Sequence, residues 1–223
     1  MSKQEILQRL MQAVIDMDKA KSRLVAEEAL KEGIQPFEAI SKGLSLGMKR
    51  VGEMWNAMEV FLPEVMASVQ AFYAGLEVLK PHLSKEGNRD QYLGTAIFGT
   101  IFGDIHSVGK DVVIPVYQAE DFNVIDLGID VSPEKYVDAI KQYNPDIVGL
   151  GTYMSETFMH VIDVTEALKK AGVRDHVMVL CGGPSADDEG ARRMGADAGF
   201  RDAWEAVDWT KKALSERRAA QKP

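Results

Sequence analysis

Up to about Lys85 the apolar positions of the chain recur at steps of three and four, the spacing of one face of an α-helix. Ile6, Leu7, Leu10 and Val14 mark a first helix, and Asp18 to Lys31 a second that Gly33 stops. Pro36 suits the first turn of a third, whose stripe runs through Phe37, Ile40, Leu44, Met48, Val51 and Trp55. Pro63 opens a fourth, with Val65, Val69, Phe72, Leu76 and Leu79 on one face and an end before Pro81. Short helices with such stripes bury them against one another, so the pattern predicts an antiparallel four-helix bundle. Ser84 to Gln91 is polar, holds Gly87 and keeps no apolar period, which is the composition of a linker.

From Tyr92 the period changes. Short apolar runs predict strands at about 93–102, 123–127, 146–151, 177–181 and 197–200, and each is followed by a helical segment: 109–120, 133–143, 156–171, 187–194 and 203–218. Val, Ile and Leu fill the strands without alternation, as a parallel sheet covered on both faces requires. With right-handed crossovers the outcome is a doubly wound sheet. The expected architecture is therefore two-domain α+β: a helical bundle over 1–88, then an α/β doubly wound five-stranded parallel sheet of Rossmann-like type over 89–223. No solenoid repeat and no low-complexity tract interrupts it.

Composition narrows the range of partners. The chain has 223 residues, 46% of them hydrophobic, enough for a sizeable core, and a net charge of −8. That charge argues against nucleic acid and against anionic membranes. The cations near the end (Lys211, Lys212, Arg217, Arg218) interleave with acids as on a solvated helix face. The single cysteine, Cys181, excludes an internal disulfide and, at a strand end, reads as a buried inert thiol. The first ten residues are amphipathic and lack the apolar core of a signal peptide, and no apolar run approaches membrane-spanning length; a cytoplasmic protein is expected.

Asp104-Ile105-His106-Ser107-Val108-Gly109 follows the first strand and opens the first helix after it. In open α/β sheets the loop beyond the carboxyl end of a strand is where ligands sit. A histidine there, two residues from an aspartate, can offer one ring nitrogen to a ligand while the other meets the carboxylate, which fixes the tautomer and raises basicity. Gly109 allows a bulky group to approach the backbone. The plainer reading is a polar loop whose histidine does nothing. Gly182-Gly183, after the apolar run Val177 to Cys181, reads in the same plain way as a strand-to-helix turn. Thr157 reads as a helix cap, and the aromatic stripes as core.

The six-residue stretch resembles the Asp-x-His-x-x-Gly signature of cobalamin-binding domains, and the resemblance extends over roughly residues 35 to 205. Gly151-Thr152-Tyr153 stands where that family carries Ser-x-Leu, and Gly182-Gly183 matches its Gly-Gly pair. Gly52-Glu53-Met54-Trp55 and Glu59 to Glu64 are similar to the helical cap that precedes the cobalamin domain in methionine synthase and in small methyltransferase corrinoid proteins. The resemblance implies that cobalamin or a related cobamide binds with His106 on its cobalt, backed by Asp104 and Thr157 as a proton relay. It further implies that the cofactor's nucleotide tail threads a slot walled by Gly109, Gly182 and Gly183, with Ser155 offering it a hydroxyl. Gly151 removes a hydroxyl that the family directs at the tail base, and Tyr153 adds a ring to the same pocket. Trp55, Leu62 and Val65 match positions that roof the upper corrin face, where exclusion of water prevents side reactions.

By this resemblance the protein is a corrinoid methyl carrier. It would take a methyl group from a donor-specific methyltransferase and pass it to a second methyltransferase serving tetrahydrofolate or a thiol, with a reductive activator to restore the cofactor. Among donors a methoxyaromatic is favoured, with methanol, methylamines and betaines also served by such carriers. The size of the chain, a cap plus a cobalamin domain, favours a separate shuttle over methionine synthase. A cobalamin-dependent sensor or regulator shares both domains, but it usually adds a basic helix-turn-helix, and the two N-terminal helices here are short of basic residues. A doubly wound domain without cobalamin would want an acidic cluster after the first strand or a G-x-G-x-x-G turn, and neither is present.

Overall fold

The computed structural model describes residues 2–82 and 92–220, so the predicted linker Ser84 to Gln91 lies outside the described residues. The chain divides into two compact units, Met1–Tyr92 with Pro115–Asp121 and Leu93–Ile114 with Phe122–Pro223. No helix among the described residues is long and apolar enough to cross a membrane.

The helical unit is built from α1 (Lys3–Ile15), α2 (Lys19–Lys31), a third segment in three pieces, and α5 (Leu62–Leu79). The first starts are set by side chains. Ser2 and Glu5 form a reciprocal capping box, and the Asp18 carboxylate accepts from the Lys21 N–H. Ile6, Leu10, Val14, Val25, Leu44, Met48, Phe72 and Leu79 are buried and make the bundle core.

The third segment departs from the single helix that its stripe predicts. It runs as α3 (Pro36–Ala39), a π-helical stretch (Ile40–Leu44) and α4 (Ser45–Asn56). Two glycines within it meet α1: a Cβ on Gly43 would lie 2.8 Å from the Leu10 side chain, and one on Gly47 would lie 2.7 Å from that of Val14. The backbones approach too closely there for any side chain.

The second unit holds β1 (Gly94–Thr100), α6 (Val108–Ala119), β2 (Phe122–Asp126), α7 (Pro133–Tyr143), β3 (Ile147–Gly151), α8 (Ser155–Phe158), α9 (Val161–Lys170), β4 (Met178–Gly182), α10 (Asp188–Arg193), β5 (Ala198–Phe200) and α11 (Ala203–Ala220). The strands form one five-stranded sheet in the order β2-β1-β3-β4-β5, every pair parallel. Both faces are covered, and β1 is buried at all positions but one. Ile97, Val148, Leu150 and Val179 pack on one side with Tyr136, Val161 and Val164. The Tyr136 hydroxyl, itself fully buried, donates to the Gly99 carbonyl at 2.8 Å and so is satisfied within that core.

One predicted helix is two. The 156–171 segment pinches between α8 and α9, where the ladder shortens to three-residue steps: His160 N–H to the Thr157 carbonyl, Ile162 to Met159 and Asp163 to His160. The strand order reverses direction at β1, whose neighbours are β2 on one side and β3 on the other. The crevice at that switch point, outside the carboxyl ends of β1 and β3, is where a doubly wound sheet takes its ligands.

Candidate functional site

Asp104 and His106 follow β1 at that point, and Tyr153 and Thr157 follow β3. The loop that carries the first pair is tied down by its backbone. Thr100 Oγ1 donates to the His106 carbonyl at 2.8 Å, the Gly103 N–H to Asp130 Oδ1 at 2.8 Å, and the Asp130 N–H to the Asp104 carbonyl at 3.1 Å.

The carboxylate of Asp104 is fully buried and receives four donors. Oδ1 accepts from the His106 ring Nδ1 at 2.7 Å and from the His106 backbone N–H at 3.0 Å. Oδ2 accepts from the Tyr153 backbone N–H and from Thr157 Oγ1, each at 2.8 Å. Burial by itself would raise the Asp104 pKa. The Tyr153 and His106 amides, the His106 ring and the Thr157 hydroxyl together outweigh it and hold the group below the ordinary carboxylate range. Thr157 Oγ1 also lies 3.0 Å from the Met154 carbonyl, but its one proton is better placed on the charged acceptor. Its role is thus not that of a helix cap: the N-cap of α8 is Met154, with no side-chain bond.

With Nδ1 held, the imidazole has Nε2 to offer. The His106 side chain is 49% exposed while its carboxylate partner is 0% exposed, so a buried anion backs an accessible ring. Tyr153 lies along one face of that ring, the two stacked with centroids 5.0 Å apart and planes 18° apart. Burial, with the nearby Asp111 and Asp104 charges, pushes the Tyr153 phenol up to about 12. The same two loops expose Phe102, Ile105, Val108 and Met154, an apolar surround for a polar pair.

The glycines differ in what they do. A Cβ on Gly182 would meet nothing nearer than the Phe200 carbonyl at 4.0 Å, so open space lies before it. Gly151 is not demanded by packing either, because a Cβ there would sit in ordinary contact at 3.4 Å from the Gly99 carbonyl. Gly183 is obligatory: its φ is +126° and a Cβ would come within 1.9 Å of the Thr152 carbonyl oxygen. Gly183→Ala should therefore cost about 3 kcal/mol or more in urea denaturation. Gly182→Ala should stay within about 1 kcal/mol of wild type. Gly109 faces the Tyr153 hydroxyl, 2.3 Å from where a Cβ would be.

Ser155 is exposed at the first position of α8. Trp55 ends α4 half-buried, Leu62 opens α5 exposed, and Val65 one turn later is buried. Met58 and Phe61 stand exposed between them, so the α4–α5 corner of the helical unit presents apolar surface. The buried Cys181 thiol is pushed up to about 12 by burial and the Asp197 charge, which keeps it inert.

Two features escape a reading of the sequence. Lys110, beside the glycine of the motif, is buried with its ammonium 2.7 Å from Asp126 and 3.2 Å from Asp111, and these carboxylates outweigh the burial that would lower its pKa and raise it instead. Only its position directly after the motif hinted at a role. The other is the Tyr153 amide on Asp104, a backbone contact that no residue-type pattern encodes.

Among the described residues no group of three or more His, Cys, Asp or Glu converges on a common point. At this crevice His106 presents one free ring nitrogen, backed by a buried carboxylate.

Comparison with known proteins agrees. Residues 94–208 and residues 6–80 each match a family model described as a B12 binding domain. A trimethylamine corrinoid protein of Methanosarcina acetivorans is 41% identical over 196 residues, 88% of this chain and 91% of that protein. A dimethylamine corrinoid protein of the same organism is 40% identical over 96% of this chain and 100% of its own. The crystal structure of a cobalamin-binding protein from Desulfitobacterium hafniense is 28% identical and superposes with a TM-score of 0.70, covering 91% of this chain and 96% of that one. The chain belongs to the B12-binding family of corrinoid proteins, and its cofactor is a cobamide.

Proposed function

We propose that the protein is a methyl carrier that accepts its methyl group from a methylated amine held by a partner methyltransferase. When bound, the cobamide supplies the cobalt on which the methyl group travels. The observation that carries the reading is the buried Asp104 carboxylate behind a half-exposed His106. The donor class is supported by relatives named for trimethylamine and dimethylamine at 41% and 40% identity. Those names favour an amine over a methoxyaromatic, and a carrier over a regulator.

His106 would hold the cobalt through Nε2, with Asp104 fixing the tautomer through Nδ1. The Asp104 carboxylate, 2.7 Å from Nδ1, would fix the orientation of the ring toward the cofactor. Thr157 and the Tyr153 amide keep that anion from turning. Open space lies before Gly182, Gly183 allows the close turn beside it, the place beside Gly109 is the one the Tyr153 hydroxyl now fills, Ser155 offers a hydroxyl at the rim, and Gly151 leaves the neighbouring position without one. Trp55, Leu62 and Val65 would, as the family resemblance implies, help to keep water from the cofactor. The donor methyltransferase, an acceptor methyltransferase serving tetrahydrofolate or a thiol, and a reductive activator are separate proteins in this reading.

The test is a methylation assay. The full chain, loaded with cobamide and reduced, is mixed with methyltransferases specific for trimethylamine, for dimethylamine and for a methoxyaromatic, each with its own substrate. Methylation, followed by absorbance, is expected with an amine system. Methylation by the methoxyaromatic system alone would replace the donor, and failure to take up cobamide would overturn the carrier itself.

A further inference from the structure

Tyr153 departs from the family pattern in a way that has a physical consequence. Where the resembling family carries the leucine of Ser-x-Leu, this chain places a phenol ring flat on the ligand imidazole, 5.0 Å between centroids and 18° between planes. The hydroxyl end of that ring fills the space over Gly109, where even a methyl group would come within 2.3 Å of it. The backbone beneath the ring cannot shift to make way: the Tyr153 N–H is held by Asp104 at 2.8 Å, and the preceding Thr152 is fully buried with its N–H on the Gly182 carbonyl at 2.7 Å. Only rotation of the side chain can clear the place beside Gly109.

We propose that Tyr153 is an access-controlling and positioning residue: stacked on His106 it fills the place beside Gly109, and it must rotate away before a cobamide's nucleotide tail can enter there. This rests on the cobamide reading above. A ligand that binds only the open arrangement has its apparent affinity reduced by the fraction of molecules that are open. One aromatic stack sets that fraction at roughly one in three to one in ten.

The experiment compares wild type, Tyr153→Leu and Tyr153→Phe as full-length cofactor-free proteins. Stopped-flow absorbance with excess cobamide reads association, and displacement by a second cobamide reads dissociation. In parallel, NMR of the cofactor-free proteins reads the ring protons of His106, assigned by their absence in His106→Ala. Tyr153→Leu should associate about three- to tenfold faster with an unchanged dissociation rate, and should lose the upfield ring-current shift of His106. Tyr153→Phe keeps the ring and should match wild type in both. Gly109→Ala should abolish the same shift without touching position 153, since its methyl group displaces the phenol. Equal association rates in wild type and Tyr153→Leu would overturn the proposal while leaving the cobamide reading intact, as would a Tyr153→Phe variant that behaves like the leucine one. Absence of cobamide uptake in all three would remove both.

Discussion

Alanine at position 104 is expected to lower the melting temperature of the cofactor-free protein by on the order of 10 °C. The Asp104 carboxylate is fully buried and accepts from four donors. Two of these, the Tyr153 and His106 amides, are fixed by the backbone and cannot turn to water, while Thr157 retains the Met154 carbonyl at 3.0 Å as a second acceptor. A buried donor left without a partner costs about 1–3 kcal/mol, so the whole loss is about 3–5 kcal/mol. In a chain of this length each kcal/mol moves the transition by about 2–4 °C. His106→Ala is the control. That side chain is half exposed, and its removal leaves the rest of the network standing, so its cost should be about 1 kcal/mol or less.

The same pair of variants carries a pH signature. Because the hydrogen bonds hold the Asp104 pKa below its ordinary value, its stabilisation is complete above the unfolded carboxylate value of about 3.9 and is lost as the pH falls through the lower folded one. The stability gap between wild type and Asp104→Ala, taken from denaturant titrations, should be constant from neutrality down to about pH 5 and shrink below about pH 4. A gap that instead narrowed near neutral pH would place the titrating group elsewhere.

The second large effect concerns the ligand. In protein loaded with cobamide and poised as cob(II), labelling histidine with nitrogen-15 should change the superhyperfine splitting of the paramagnetic resonance spectrum in wild type and not in His106→Ala. Affinity for the cofactor should fall by on the order of tenfold to a hundredfold, the range seen when the support of a metal ligand is removed. In the proposed reading the tail is held by residues other than His106, so binding should persist at higher concentration. A label-dependent splitting that survives in the variant would assign the ligand to another histidine, of which the chain has three more (four in all).

How much of this could be read from the chain follows from the range of the interactions. The strand-loop-helix context of Asp104 to Gly109 was legible because an unbroken apolar run, a loop and a helical period lie next to one another in sequence. Every strand of the sheet fell within two residues of its expected ends for the same reason. The break between α8 and α9 was not legible, since their apolar positions keep helical spacing across it and only the hydrogen-bond ladder changes. From its own neighbours Thr157 reads as a cap, and only the resemblance joined it to Asp104, because that partner lies 53 positions away and is reached only when β1 and β3 pair. The Tyr153–His106 stack has the same origin. The donor is less legible still, because in the proposed reading its recognition belongs to a partner methyltransferase.

The π-helical stretch at Ile40–Leu44 has a consequence for the helical unit that its stripe of apolar residues conceals. Counted along the chain, Phe37 and Trp55 belong to one line, eighteen residues and a whole number of turns apart. A widened turn absorbs one residue without advancing the winding, so everything after it is out of phase with what precedes it by about 100°. The core positions Leu44, Met48 and Val51 are buried, yet Trp55 ends half-buried at the rim. Deleting a single residue between Ile40 and Leu44 would restore a uniform winding and swing the indole through that angle. Length variation at this point is a steering adjustment: it selects the direction in which Trp55 faces while leaving the composition of α4 untouched.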